Sequence, residues 1–174
     1  MTFTFVSANL ALDFVGTVQR RRAKAIDLLE SPAALADWTV ASGVVDSAAA
    51  VDDSGLADAK RLREAIYRTA LAAIRREPYP CEDVVVLNRF AKPAPAALRL
   101  KPEGSLTSEG DLPAVLSTVA NDAIELLGGP NARRIRECDA ETCTRLYLES
   151  ARGRARRWCD MSRCGNRAKA SAFR

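Results

Sequence analysis

Apolar residues recur at helical spacing through most of the first 130 residues, and the pattern is clearest between Ser54 and Arg76. Apolar side chains three or four positions apart form one stripe there, and charged residues, Arg63 among them, occupy most of the remaining surface. This pattern predicts the longest amphipathic helix of the chain, ended by Pro78 and Pro80, because proline cannot continue a helix. The stripe consists of Leu56, Ala59, Leu62, Ile66, Ala70, Ala73 and Ile74.

Four further segments show the same periodicity and carry recognisable helix ends. Ser31 before Pro32 is a typical start, because a capping hydroxyl precedes a proline at the first helical position. Asp111 caps the last of these helices, and Gly128–Gly129 ends it. We expect helices over residues 8–19 (with Ser7 as the cap), 32–42, 82–91 and 112–127.

Short stretches with alternating apolar residues predict a small amount of β-structure. The fold class is therefore mainly α with minor β (α+β). Glycine and proline at 128–131 predict a boundary between a helical N-terminal domain, residues 1–130, and a C-terminal module, residues 131–174. The predicted strands are Phe3–Phe5, Leu98–Leu100 with a return strand near Leu106, and the pair Arg134–Arg136 and Arg145–Leu148.

Four of the five cysteines lie in the C-terminal module with the spacing C-x4-C-x15-C-x4-C: Cys138, Cys143, Cys159 and Cys164. Each close pair can form a turn that points two thiolates inward, and the intervening loop can fold one turn onto the other, as tetrahedral Zn²⁺ requires. The chain contains no histidine, so the ligand set must consist entirely of thiolates. We predict one zinc ion per chain.

Two other uses of the same four cysteines remain open at this point. An iron–sulfur cluster also takes four thiolates. Two disulfide bonds would require an oxidising compartment, but the N-terminus lacks an export pattern, since Asp13 interrupts its apolar run and Arg20–Arg22 follow that run instead of preceding it. No apolar run approaches the ~18 residues of a membrane span. We therefore expect a cytoplasmic protein with no membrane contact.

Charge is distributed unevenly, since residues 131–174 carry 12 Lys and Arg against 5 Asp and Glu, whereas residues 1–130 carry 14 against 17. Basic side chains around the second cysteine pair could contact nucleic-acid phosphates and guanine edges. The alternative is a solvated surface, which is also our interpretation of the basic run Arg20–Lys24. The candidate nucleic-acid-binding residues are Arg152, Arg154, Arg156, Arg157, Arg163, Arg167 and Lys169.

Two motifs carry a family resemblance. Arg156–Arg167, with the pattern R-R-W-C-D-M-x-x-C-G-N-R, resembles the CGNR zinc finger of bacterial proteins. Leu10–Thr17, LALDFVGT, is similar to the L-x-L-D-x-V-N-T signature of the ABATE domain that usually precedes this finger, with Gly16 in place of Asn. The resemblance covers essentially the whole chain. It implies a stress-induced transcription regulator with an N-terminal domain that senses an unknown small-molecule signal and a zinc finger that binds DNA.

The predicted hairpin around the first cysteine pair, with Cys164 at the start of a terminal helix, resembles the treble-clef class of zinc fingers. Three functions are compatible with such a module: a DNA-binding regulator that acts as a homodimer, an RNA-associated module, or a structural clip that contacts protein. We do not expect an enzyme, because four thiolates leave zinc no open position and the chain lacks a histidine base. Cys81 lies beside Glu82 and Asp83, whose charges disfavour a thiolate, and is interpreted as structural.

Overall fold

Within the residues that the structure describes, five α-helices are the main secondary structure, which confirms the mainly α prediction. The structure is a computed structural model that describes residues 2–150 and 156–166. A single 3-10 turn, Pro130–Arg134, follows the last helix. Within these residues, no helix combines the length and apolar character needed to cross a bilayer. The helices are α1 (Leu10–Val15), α2 (Pro32–Ala41), α3 (Asp53–Arg75), α4 (Cys81–Phe90) and α5 (Leu112–Gly128).

Side-chain caps fix where the helices begin. The Ser31 hydroxyl accepts the Ala34 N–H, and the Asp111 carboxylate accepts the Ala114 N–H, as their positions in the sequence predict. The first helix differs from the prediction, because Asn9 and not Ser7 is its cap, and it ends at Val15. The predicted strand at Phe3–Phe5 is also wrong, since that segment has no regular secondary structure.

The long helix α3 is the centre of the body, and α1, α4 and α5 all pack against it. Trp38 of α2 is fully buried, with the centre of its ring 4.7 Å from that of the Phe14 ring. Two apolar residues of the short helices are exposed: Val40 of α2 at 39% and Val85 of α4 at 67%.

The described part of the chain also forms three two-stranded antiparallel hairpins. The second and third were expected from the sequence. The first was not, because strands of two residues are too short to show an alternating pattern. The pairs are β1 (Val18–Gln19) with β2 (Ile26–Asp27), β3 (Ala97–Leu100) with β4 (Leu106–Glu109), and β5 (Ile135–Glu137) with β6 (Leu146–Leu148).

The hydrophobic core extends past residue 130 into the C-terminal segment. Ile135 of β5 and Leu146 of β6 are fully buried in the same apolar cluster as α1, α3 and α5. Strand β6 packs on α1, and β5 packs on α3. The last hairpin therefore belongs to the core of the helical body and also carries the first pair of cysteines.

A buried ion-pair network links α3 to the first hairpin. The Arg63 side chain, only 4% exposed, donates to both carboxylate oxygens of Asp27 at 2.7 and 2.9 Å and also contacts Glu64. Burial alone would raise the pKa of the Asp27 carboxyl, but the hydrogen bonds and the positive charge of Arg63 lower it below its ordinary value. The position predicted for Arg63 on the solvated side of the helix is wrong. Arg21, from the basic run, also points inward and pairs with Glu64 at 2.6 Å.

Candidate metal centre and its basic edge

The first pair of cysteines lies at the end of the β5–β6 hairpin, as predicted. Cys138 directly follows β5. Its backbone N–H donates to the Arg145 carbonyl at 3.0 Å, and this bond continues the β5–β6 pairing by one residue. The chain then turns so that the Cys143 N–H donates to the Ala140 carbonyl at 2.8 Å. This turn directs both thiols toward the second pair.

The second pair lies on a separate segment that folds over the hairpin turn. Cys159 is buried, and Cys164 lies within a π-type helical turn over Met161–Gly165. Asp160 caps that turn by accepting the Ser162 N–H at 2.8 Å. The prediction that Cys164 itself opens the helix is therefore corrected, because the helical backbone begins at Met161.

The four Sγ atoms converge into one cluster, all within 4.8 Å of one another. Cys159 Sγ lies 3.8 Å from Cys143 Sγ and 3.7 Å from Cys164 Sγ. A zinc ion bonded to four sulfurs at about 2.3 Å places those sulfurs about 3.8 Å apart, so the donor set fits tetrahedral Zn²⁺. All five cysteines are among the described residues and are free thiols, so the disulfide interpretation finds no support. Cys81 is exposed at the start of α4 and takes no part in the cluster.

The thiols are too close together for all of them to ionise without a cation. Hydrogen bonds from the Cys143 and Cys159 thiols lower the pKa of Cys138 to about 2. Burial, followed by the charge of the neighbouring thiolates, raises the pKa of Cys164 to about 11, and hydrogen bonding to Cys138 raises the pKa of Cys159. When bound, Zn²⁺ supplies the positive charge that allows four thiolate ligands and cross-links the two turns.

Arg156, one of the candidate nucleic-acid-binding residues, is partly buried, and its guanidinium is bound by other residues of the protein. Its guanidinium lies 4.2 Å from the centre of the Tyr147 ring. It donates to the carbonyls of Leu148 at 3.2 Å and Val6 at 3.4 Å, while the Tyr147 hydroxyl donates to the Arg156 carbonyl at 2.5 Å. A further bond reaches the carbonyl of the ligand Cys159 at 3.3 Å. Arg156 therefore holds the zinc ligand loop against the body.

Arg157 and Arg163 are exposed on the segment that carries the second pair of ligands. Arg157 forms a solvent-exposed pair with Asp139 at 3.0 Å, and Arg163 donates to the Thr4 hydroxyl at 3.1 Å. Both retain donors that face solvent. The other four candidates, Arg152, Arg154, Arg167 and Lys169, lie outside the described residues.

Comparison with family models accounts for nearly the whole chain. The model of ABATE, described as "Putative stress-induced transcription regulator", matches residues 8–130. The chain belongs to the ABATE family. The model of the CGNR zinc finger matches residues 134–174, which contain all four clustered cysteines, so both predicted resemblances and the zinc site are confirmed. A comparison with curated proteins finds no match.

The ABATE signature segment contacts the finger through Arg145, which the sequence analysis did not select. Its guanidinium donates to the carbonyls of Thr4 at 2.9 Å and Gly16 at 3.4 Å, and lies 3.9 Å from the Asp13 carboxylate. A Cβ atom at position 16 would lie 2.5 Å from Arg145 Nη1. The sequence did contain one signal for this contact, Gly16, because a residue without a side chain leaves room for a side chain from another part of the fold.

The acidic residue of the ABATE signature, Asp13, fixes the N-terminal segment that lies between the body and the finger. Its carboxylate accepts the backbone N–H groups of Val6 and Ser7, each at 3.0 Å. Burial raises the pKa of Asp13 despite these bonds. On its other side, the Ser7 carbonyl accepts the Leu148 N–H of β6 at 2.8 Å. Residues 4–7 therefore join the ABATE domain to the zinc finger through backbone hydrogen bonds.

A cavity of about 300 Å³ lies where the ABATE domain meets the finger. Residues of both contribute to its lining, including Gly16 and Arg20 from the ABATE domain and Arg163 from the finger. Three of the clustered cysteines also reach this space, so part of it belongs to the metal site: Cys143, Cys159 and Cys164.

Proposed function

We propose that the protein is a DNA-binding transcription regulator in which zinc is structural. The observation that carries the proposal is the placement of Arg157 and Arg163, which are exposed on the segment that supplies two zinc ligands. Membership of a family described as transcription regulators and the basic charge of residues 131–174 support it. Zinc would hold the segment rigid, so that the arginine side chains reach phosphates at a fixed spacing.

The proposal includes no catalytic step. With four thiolate ligands, a bound zinc ion has no position for a reacting water or substrate. We further propose a reducing cytoplasm as the working compartment, because the ligands must remain thiolates. A homodimer is proposed because two copies would read two half-sites. The ABATE domain would respond to a small-molecule signal.

Salt dependence of binding to a mixed-sequence DNA duplex tests the proposal. We expect the zinc-loaded protein to bind, with an affinity that falls steeply as salt rises, because each phosphate contact contributes about 0.9 to the slope of log affinity against log salt. The double substitution Arg157→Ala and Arg163→Ala should lower that slope by about 1.8. The matched control is Lys92→Ala with Lys101→Ala, two exposed charges away from the finger, which should leave it unchanged.

Retention of the full wild-type slope in the Arg157 and Arg163 variant would refute the assignment of these arginines. Absence of binding to any duplex would overturn the function itself. Tighter binding to structured or single-stranded RNA at equal salt would select the RNA-associated module instead. Metal content and thermal unfolding of each variant must match those of the wild type, so that a loss of binding is not a loss of folding.

A structural clip is the second candidate, because the finger is bonded directly to the N-terminal segment. Arg156 donates to the Val6 carbonyl, and the Leu148 N–H donates to the Ser7 carbonyl. A finger that only fastens the ABATE domain predicts that Cys138→Ser lowers the stability of the helical body, while the zinc-loaded protein shows no salt-dependent binding to nucleic acid. The duplex experiment therefore separates the two candidates.

A further inference from the structure

The loop between β1 and β2 belongs to the ABATE domain but is bonded to the zinc finger. The Arg21 N–H donates to the Thr144 hydroxyl, just after the first cysteine pair, at 3.1 Å. The Arg22 guanidinium pairs with Glu137, the last residue of β5, at 2.5 Å. These contacts fix residues 20–24 against the hairpin that holds the metal.

The four positive charges of this loop have different surroundings. Arg21 is turned inward, where it pairs with Glu64 and lies 4.0 Å from the centre of the Tyr67 ring. The charge of Arg22 is matched by Glu137. Arg20 and Lys24 are exposed, and among the residues that the structure describes neither side chain has a bonding partner. Two uncompensated charges therefore remain at the surface.

The backbone of Arg20 is held in an uncommon conformation. Its φ angle is +56°, in the left-handed region that residues other than glycine rarely adopt. A turn closed by the Ala23 N–H on the Arg20 carbonyl at 2.9 Å stabilises this conformation. Such strained residues are typical of functional loops, because the surrounding structure must offset a cost of about 1–3 kcal/mol.

Arg20 and the finger residue Arg163 line the same cavity. Two nearby carboxylates are paired with other arginines: Glu137 with Arg22, and Asp139 with Arg157. The cavity lining contains three arginines, Arg20, Arg145 and Arg163, and one carboxylate, that of Asp160, so positive charge is in excess there and comes from both domains.

We propose that the β1–β2 loop of the ABATE domain is part of the nucleic-acid surface, and that Arg20 and Lys24 bind DNA phosphates beside Arg163. This inference rests on the proposed DNA-binding function and extends it to a surface made by both domains.

The test compares two double variants of the full-length, zinc-loaded protein on a mixed-sequence DNA duplex. Arg20→Ala with Lys24→Ala should reduce the slope of log affinity against log salt by about 1.8, because two phosphate contacts are lost. Lys92→Ala with Lys101→Ala removes the same charge from exposed positions that do not line the cavity, and should leave the slope unchanged. Zinc content and the unfolding midpoint should equal those of the wild type in both.

Each outcome has a distinct meaning. A slope that is unchanged in the Arg20 and Lys24 variant but reduced in the Arg157 and Arg163 variant overturns this inference and leaves the DNA-binding function standing. If the slope falls by the same amount in the Lys92 and Lys101 control, the effect is a non-specific consequence of net charge, and this inference is also overturned. Failure of the wild-type protein to bind any duplex overturns both proposals, and tighter binding to RNA reassigns the partner.

Discussion

Substitution of Gly16 by alanine tests whether the ABATE signature and the finger are packed against each other. The φ and ψ angles of Gly16, −66° and −5°, suit any residue, so alanine would cause no backbone strain. By reducing the freedom of the unfolded chain, such a change would by itself stabilise the protein by about 0.4–1 kcal/mol. The structure predicts that Gly16→Ala instead destabilises the protein, because the new Cβ would lie 2.5 Å from Arg145 Nη1.

The magnitude follows from the bonds that Arg145 would have to give up. Its side chain is only 10% exposed, and it donates to the Thr4 carbonyl at 2.9 Å beside the equally buried Asp13. Loss of a charged hydrogen bond of this kind costs about 1.5–3 kcal/mol. After the entropic gain is subtracted, Gly16→Ala should destabilise the protein by about 1–2 kcal/mol.

A double-mutant cycle with Arg145→Ala isolates the contact. Urea unfolding of the zinc-loaded protein gives the free energy of each variant, and an unchanged dependence on urea shows that only stability has moved. In the Arg145→Ala background the space is vacant, so Gly16→Ala should be neutral or stabilising, with a coupling energy of about 2 kcal/mol. The reasoning would be refuted if Gly16→Ala stabilised both backgrounds equally.

Three other predictions concern the ion-pair network and the metal. Arg63→Leu should cost about 1.5–3 kcal/mol, because it removes the charged hydrogen bonds from a buried guanidinium to Asp27. Lys60→Met, which removes a partly exposed ion pair with the same carboxylate, should cost less than about 1 kcal/mol. Similar losses of stability in urea unfolding would contradict this prediction. The pKa of Asp27 is lowered in the folded state, so the stabilisation that its carboxylate contributes is complete above the unfolded pKa of 3.8 and is lost as pH falls through the folded pKa. The difference in free energy of unfolding between wild type and Asp27→Asn should therefore shrink in that pH range. A difference that stays constant with pH would contradict this prediction. Metal analysis should find one zinc per chain in Cys81→Ser and none in Cys138→Ser, and zinc retained by the latter would rule out the four-thiolate site.

The sequence correctly predicted the features that depend on residues close together in the chain. The stripe between Ser54 and Arg76 gave α3 to within one residue at each end, and the spacing of the four cysteines gave the metal site. Ser31 and Asp111 were recognised as caps because a cap bonds within the next few residues of the chain. Each of these features depends on neighbours that a short window of sequence contains.

The errors involve side chains whose partners are distant in the chain. Arg63 was placed in solvent because its partner Asp27 lies 36 residues away. The sequence also gave no sign that Arg156, selected from a basic run, bonds to the Val6 carbonyl, 150 residues away. Ser7 was taken as a cap, whereas its carbonyl pairs with β6. Charge and periodicity cannot show which arginine is turned inward by a later or earlier segment.

Because Ile135 and Leu146 fill the apolar interior beside α1 and α3, the two family modules are not two independent folding units. A truncated fragment that stops at residue 130 would expose an apolar slot to water and would tend to aggregate. A chimera that carried a finger from a relative would fold well only if the incoming hairpin had side chains of matching volume at these two positions. Exchange of fingers between members of the family is therefore constrained by core packing as well as by what the finger recognises.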